Sequence, residues 1–112
     1  MSIPVTAIFD IGKTNKKFFL FDKNYKEIYR DYSRFDLIND EDGYASDNLS
    51  AIQQWLKDIF HQILASEKYN VKAINFSTYG ASFVHVDRNG KILTPLYNYT
   101  KPYPEKLLAS FY

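Results

Sequence analysis

Ile3, Val5, Ala7 and Phe9 fall at every second position near the start of the chain, with Pro4, Thr6 and Ile8 between them. Period two in a stretch rich in β-branched residues predicts a strand. After a turn from Ile11 to Asn15, "KKFFLFD" predicts a second strand, apolar on both faces from Phe18 to Phe21. Asp22-Lys23-Asn24 reads as a hairpin turn, with Asn24 suited to the left-handed conformation. In "YKEIYRDYSRF" the charges interleave with Ile28, Tyr29, Tyr32 and Phe35, the pattern of a third strand at an edge or half exposed. "NDEDGYASDN" reads as a loop from its acidic residues and Gly43. The period then changes. Leu49, Ile52, Leu56, Ile59 and Ile63 recur at helical steps, and Trp55 and Phe60 widen the stripe, which predicts an amphipathic helix. Asp47, or Ser50 with Gln53, can cap its start, and Asn70 suits its stop. "VKAINFS" predicts a buried strand, parallel to the first because a helix crosses over before it. "FVHVD", a turn from Asp87 to Gly90 and "KILT" form a small hairpin. "PLYNYTKPYPEKLLASFY" begins as a Pro-punctuated loop and ends in a short helical run.

Composition narrows the class. A chain of 112 residues with 46% hydrophobic and 24% charged residues has the balance of one small globular domain or a piece of a larger one. The net charge of +1 argues against a dedicated nucleic-acid binder. The absence of cysteine removes disulfides, thiolate zinc sites and cysteine nucleophiles. No apolar run is long enough for a membrane span, and the N-terminus lacks a secretory pattern, so the expected location is the cytoplasm. Ten Tyr and nine Phe are an unusually high aromatic content, but most lie in the alternating runs and are expected to pack a sheet face.

The candidate chemistry sits between the first two strands. Gly12-Lys13-Thr14 has the ending of a P-loop, but the position where its first glycine belongs is Ala7, inside a strand, and a strand rather than a helix follows Thr14. A P-loop is excluded. A β-hairpin phosphate turn is compatible. Gly12 lets the backbone approach an oxyanion, Thr14 offers a hydroxyl, and Lys13, Lys16 and Lys17 add positive charge. Asp10 would hold Mg²⁺ through water. A basic hairpin with a solvated lysine face fits the same spacing.

"DIGKTNKKFFLFD" resembles the first phosphate motif of FGGY-family carbohydrate kinases, D-x-G-T-T-S-x-K followed by a strand ending in F-D. Asp10, Gly12, Thr14 and Lys17 match in place, while Lys13 and Asn15 replace the usual Thr and Ser. "INFSTYGASFVHVDRNGKIL" resembles the segment that closes the fourth strand and enters a small hairpin. The likeness there is closer to the rhamnulokinases, with Thr78, Gly80, Phe83, Val84 and Asp87 matching and Tyr79 standing for a Trp. "DGYASDNLSAI" is similar to the stretch before the family's first helix. The resemblance implies an α/β fold of the ribonuclease-H-like kind, shared with actin and Hsp70, with three antiparallel strands, a helix, a further strand and a small hairpin. It implies that Gly12, Lys13, Thr14, Asn15, Lys16 and Lys17 contact the phosphates of ATP, with Asp10 on the Mg²⁺ side. Gly80, Thr78, Tyr79 and Ser82 would line the sugar site, although for Tyr79 packing on the first helix is an equal alternative.

Two departures bear on the substrate. Many family members carry a D-x-R element after the hairpin, where this chain has "PLYNYTKPYPE", and Ser82 replaces an Asp of the rhamnulokinase pattern. The expected sugar is a ketose such as rhamnulose, fuculose or xylulose. The resemblance places the general base, the adenine pocket and a second phosphate loop in later segments. The chain, residues 1–112, is therefore expected to be the N-terminal part of such a kinase, inactive alone and without a catalytic residue of its own. It is expected to associate as a homodimer or with the remainder. A non-catalytic sugar- or nucleotide-binding module and another actin-like ATPase are the alternatives. His61 and His85 lack ligand spacing. Asp36, Asp40, Glu41 and Asp42 lack the register of a Ca²⁺ loop and are expected to be a solvated loop.

Overall fold

The computed structural model describes residues 2–97, 101–102 and 105–111. Along the chain run β1 (Ile3–Ile11), β2 (Lys16–Phe21), β3 (Glu27–Ser33), β4 (Ile38–Asn39), β5 (Ala45–Asp47), α1 (Leu49–Leu64), β6 (Tyr69–Thr78), β7 (Leu96–Tyr97) and α2 (Glu105–Phe111). They fall into two compact units. The first runs to Phe35 and resumes over Leu49–Tyr79, and the second holds Asp36–Asn48 and the chain from Gly80 onward.

In the first unit a four-stranded sheet has the order β3-β2-β1-β6. β1 pairs antiparallel with β2, and β2 with β3, while β6 runs parallel to β1 after the helix crossover. The pleat sends Val5, Ala7 and Phe9 of β1 and Phe18 and Leu20 of β2 to one face, where Ile59 and Ile63 of α1 bury them. Trp55, Leu56 and Phe60 widen that contact, as the helical stripe predicts. The opposite face carries Ile8, Asp10, Lys17, Phe19, Arg30 and Tyr32, none of them fully buried.

Three local expectations change. β6 is parallel as expected but is not buried. It is a terminal strand of the sheet, so Ile74 and Phe76 remain 41% and 49% exposed. α1 stops at Leu64, with closing bonds from Ala65 to His61 and from Ser66 to Ile63, and Asn70 lies within β6. Ser50 lies inside the helix and Asp47 in β5, so the residue flanking the first turn is Asn48.

The first hairpin turn is built by an aspartate. Asp22 Oδ1 accepts the amides of Asn24 and Lys26, and the backbone closes through Asp22 N–H to Lys26 O. That closure leaves the left-handed position to Tyr25 (φ 63°) rather than to Asn24. A side chain there costs about 1–2 kcal/mol, and Tyr25 is 89% exposed, so its ring offers little packing in return. Tyr25→Gly is expected to stabilise the chain by about 1 kcal/mol after allowing for the freer unfolded glycine. The check is a higher denaturant midpoint at unchanged slope.

The second unit contains a small sheet of order β4-β5-β7, where the sequence predicted only loops. "NDEDGYASDN" is a hairpin: Asp40 N–H reaches Tyr44 O, Asp40 Oδ1 accepts the amides of Asp42 and Tyr44, and Gly43 takes φ 82°. The turn from Asp87 to Lys91 repeats this plan with Gly90 at φ 80°. The expected hairpin around it is present as single bridges, Val86 to Ile92 and Phe83 to Tyr97. α2 occupies the expected terminal helical run.

Candidate functional site

The β1–β2 connection is a short turn held by its own backbone. Ile11 and Lys16 face each other across the ladder, and Gly12 N–H donates to Asn15 O at 2.9 Å. A Cβ on Gly12 would lie 2.8 Å from that same carbonyl, so the turn closes only around a residue without a side chain. Thr14 is exposed at its tip, and Lys13 and Asn15 are half-buried beside it.

The pleat divides the candidate residues. Asp10 stands directly opposite Lys17 on β2 and opposite Ser77 on β6, and Lys17 in turn faces Tyr32 on β3. Ser77, Asp10, Lys17 and Tyr32 thus form a row across all four strands on the face without α1. Asn15, Lys17, Phe19, Arg30 and Tyr32 line an open depression of about 360 Å³ there. Arg30 holds Glu27 through two contacts and lies over the Phe19 ring. Lys16 points to the other face. It is 2% exposed and its Nζ donates to Lys13 O at 3.2 Å. Lys16 and Lys17, adjacent in sequence, therefore address opposite sides of the sheet.

Thr78 ends β6 opposite Ile11 and is exposed. Tyr79 donates its amide to Ile11 O at 3.3 Å, and its ring lies 5.5 Å from Lys13 Nζ and 5.8 Å from Lys16 Nζ. Thr78 and Tyr79 thus belong to the first unit, and Gly80 and Ser82 to the second. A Cβ on Gly80 would meet open space. His61 and His85 are both exposed, and His85 stacks edge-on against Phe83.

Of the acidic group, Asp36, Glu41 and Asp42 are exposed as expected, but Asp40 is not solvated, and no local sequence signal points to the partner that orders it. Asp40 is buried, and its Oδ2 pairs with Lys101 Nζ at 2.7 Å. Lys101 also holds Asp42 at 2.9 Å and lies 4.5 Å above the Tyr97 ring, with Tyr44 at 5.7 Å. Tyr97 donates its hydroxyl to Glu41. The bond to Lys101 holds the Asp40 carboxyl below its usual value, aided by the Tyr44 and Asp42 amides, and the Asp40 bond raises Lys101 in turn. A depressed carboxylate contributes stability above its ordinary pKa and loses it as the pH falls through the depressed value. The raised lysine contributes below its ordinary pKa and loses that as the pH rises through the raised value. The clasp is thus complete at neutral pH. Lys101→Met is expected to speed hydrogen exchange at the Asp42 and Tyr44 amides at neutral pH, and acid below the usual carboxylate range is expected to do the same to the unaltered chain. Exchange measured by NMR across pH checks both.

Three antiparallel strands, a helix crossover and a parallel fourth strand define the ribonuclease-H-like half-fold seen in sugar kinases. Solved structures with this fold include a carbohydrate kinase from Novosphingobium aromaticivorans (TM-score 0.79, 22% identity, 99% of this chain and 23% of that one). A gluconate kinase from Lactobacillus acidophilus matches with a TM-score of 0.69 and 23% identity, over 85% of this chain and 19% of its own. A ligand-bound xylulose kinase from the same organism matches with a TM-score of 0.70 and 21% identity, over 84% of this chain and 19% of its own. This chain spans about a fifth to a quarter of the length of these relatives. No curated protein matches the sequence. The family profile "FGGY family of carbohydrate kinases, N-terminal domain" matches residues 5–103. The chain belongs to the FGGY family of carbohydrate kinases. Among its described residues no helix is long and apolar enough to cross a membrane.

Proposed function

We propose that residues 1–112 form the N-terminal part of domain I of a kinase that transfers a phosphoryl group from ATP to a ketose hydroxyl. The observation that carries this reading is the pairing of Asp10 with Lys17 across β1 and β2, directly beneath a turn that only Gly12 can close. A carboxylate beside an ammonium at the foot of a tight turn suits a metal–polyphosphate, because it offers one charge of each sign to a ligand that carries both. Phosphoryl transfer depends on positioning and electrostatic stabilisation, which such residues supply.

The donor set fits Mg²⁺ held through water and phosphate rather than in a protein cage: Asp10 is a single carboxylate, and no group of three or more metal-binding side chains occurs among the described residues. The metal supplies neutralisation of phosphate charge. Lys17 and Lys13 add positive charge from the protein, and Thr14 presents its hydroxyl at the tip. Gly12 N–H is committed to Asn15 O, so the turn's contribution to an oxyanion comes from Lys13, Thr14 and Asn15. Lys16 acts from the buried side, holding Lys13 O. Thr78, Tyr79, Gly80 and Ser82 belong to the sugar side in this reading. A ketose of the rhamnulose, fuculose or xylulose kind is the expected substrate class. The half-exposed Ile74 and Phe76 on β6 support association of the chain with further protein.

Calorimetric titration of the chain with Mg-ATP, together with an ADP-release assay over a ketose panel, tests the reading. Saturable Mg-ATP binding without sugar-dependent ADP release is expected. No saturable binding would remove the phosphate turn from the reading. Sugar-dependent turnover by the chain alone would show that the general base lies within it.

A further inference from the structure

We infer that Tyr79 is a positioning residue for the phosphate turn, its ring a platform that sets the two lysine ammonium groups. The inference rests on the phosphate-turn reading above and concerns how that turn is ordered. Three contacts, none local in sequence, tie Tyr79 to the turn. Its amide donates to Ile11 O at 3.3 Å, at the residue where the turn begins. Its ring centroid lies 5.5 Å from Lys13 Nζ and 5.8 Å from Lys16 Nζ, both within the range of cation–π attraction. Lys16 Nζ also donates to Lys13 O, so ring, ammonium and turn backbone form one connected set.

Two like charges brought toward one place repel each other, and lysine stems are long and flexible. An aromatic ring within reach of both ammonium groups offsets that repulsion and limits the stems' freedom. The turn is thereby ordered before an anion arrives, and less entropy is lost on binding. Lys13 and Tyr79 are also two of the places where this chain departs from the pattern it resembles, where Thr and Trp are usual. The two departures meet in space. Tyr79, assigned above to the sugar side, thus also serves the phosphate end through the lysines it holds.

The test compares Tyr79→Phe, which keeps the aromatic face, with Tyr79→Leu, which keeps bulk and removes it. Inorganic triphosphate with Mg²⁺ is the probe, and NMR reports the ε-methylene protons of Lys13 and Lys16. The ε-methylenes are expected upfield of their unstructured positions in the unaltered chain and in Tyr79→Phe, and near those positions in Tyr79→Leu. Triphosphate affinity is expected to fall by about five- to twentyfold in Tyr79→Leu and by less than about twofold in Tyr79→Phe. Equal affinity in Tyr79→Leu and the unaltered chain would overturn the inference. So would unshifted ε-methylenes in the unaltered chain, a reading that needs no variant to fold. Absence of triphosphate binding by the unaltered chain would instead overturn the phosphate-turn reading, and the ε-methylene shifts would still decide whether the ring holds the lysines.

Discussion

Phe9→Ala is expected to destabilise the first unit by about 3–5 kcal/mol, the usual cost of removing a fully buried phenyl ring. Phe9 is 0% exposed, and four rings surround it: Phe18 at 4.8 Å, Phe60 at 4.9 Å, Phe76 at 5.1 Å and Trp55 at 5.9 Å. These rings come from β2, α1 and β6, so this one side chain links two neighbouring strands and the helix. The alanine cavity could not close without moving several of them, which places the cost toward the upper part of the range. Domains of this size have about 5–15 kcal/mol in total. The loss is therefore a large share of the total, and at the lower end of that range it leaves the variant partly unfolded at ordinary temperature. Urea unfolding followed by Trp55 fluorescence measures it, since Trp55 packs edge-on against the lost ring. A loss below about 1 kcal/mol would mean that the core is not organised around Phe9.

The second large effect concerns the turn. Gly12→Ala places a methyl group 2.8 Å from Asn15 O, and the atom it meets is backbone, which cannot rotate away. Either the Gly12–Asn15 bond opens or β1 and β2 shift at their paired ends, Ile11 and Lys16. Overpacking of this kind costs about 1–3 kcal/mol. Because Thr14 and Lys13 ride on the same turn, Mg-ATP affinity is expected to fall by about tenfold or more. Calorimetry measures the affinity, and the unfolding midpoint separates it from global stability. Gly80→Ala is the comparison. A Cβ there meets open space, so the same added methyl brings no steric cost in the unbound chain.

Much of the first unit was legible in the sequence. β1 alternates with period two and α1 carries a stripe four turns long, so local pattern and final burial agree there, while β2 was legible as an apolar run but not in which of its faces is buried. β6 was legible as a parallel strand but not in its exposure. An apolar run states what a strand could bury, and sheet order decides what it does bury. β4, β5 and β7 were not legible, because strands of two or three residues have no period to read. One signal was present all the same. Asp40-Glu41-Asp42-Gly43 has the Asp-x-x-Gly form of Asp87-Arg88-Asn89-Gly90, and both fold around an aspartate oxygen. Composition hid the first because its acids suggested solvent. Lys101, the partner that buries Asp40, lies 61 positions later, where no local rule reaches. The residues proposed for the phosphate turn were named as a set from the family pattern. Their division between faces, and the meeting of Lys13 with Tyr79, follow from strand pairing.

That division gives the turn an arithmetic of its own. Lys16 looks into the helix-covered side and Lys17 into the open one because the count of residues from Ile11 fixes the parity of everything after it. Removing one residue while the loop keeps its four-residue form would slip β2 by one position against β1, drawing Lys16 into the turn and setting Lys17 in the buried place opposite Ile11. It would also turn Phe18 and Leu20 outward and bring Phe19 and Phe21 in. The core thus polices the length of the turn, a constraint separate from the one that the close approach to Asn15 O places on the identity of Gly12.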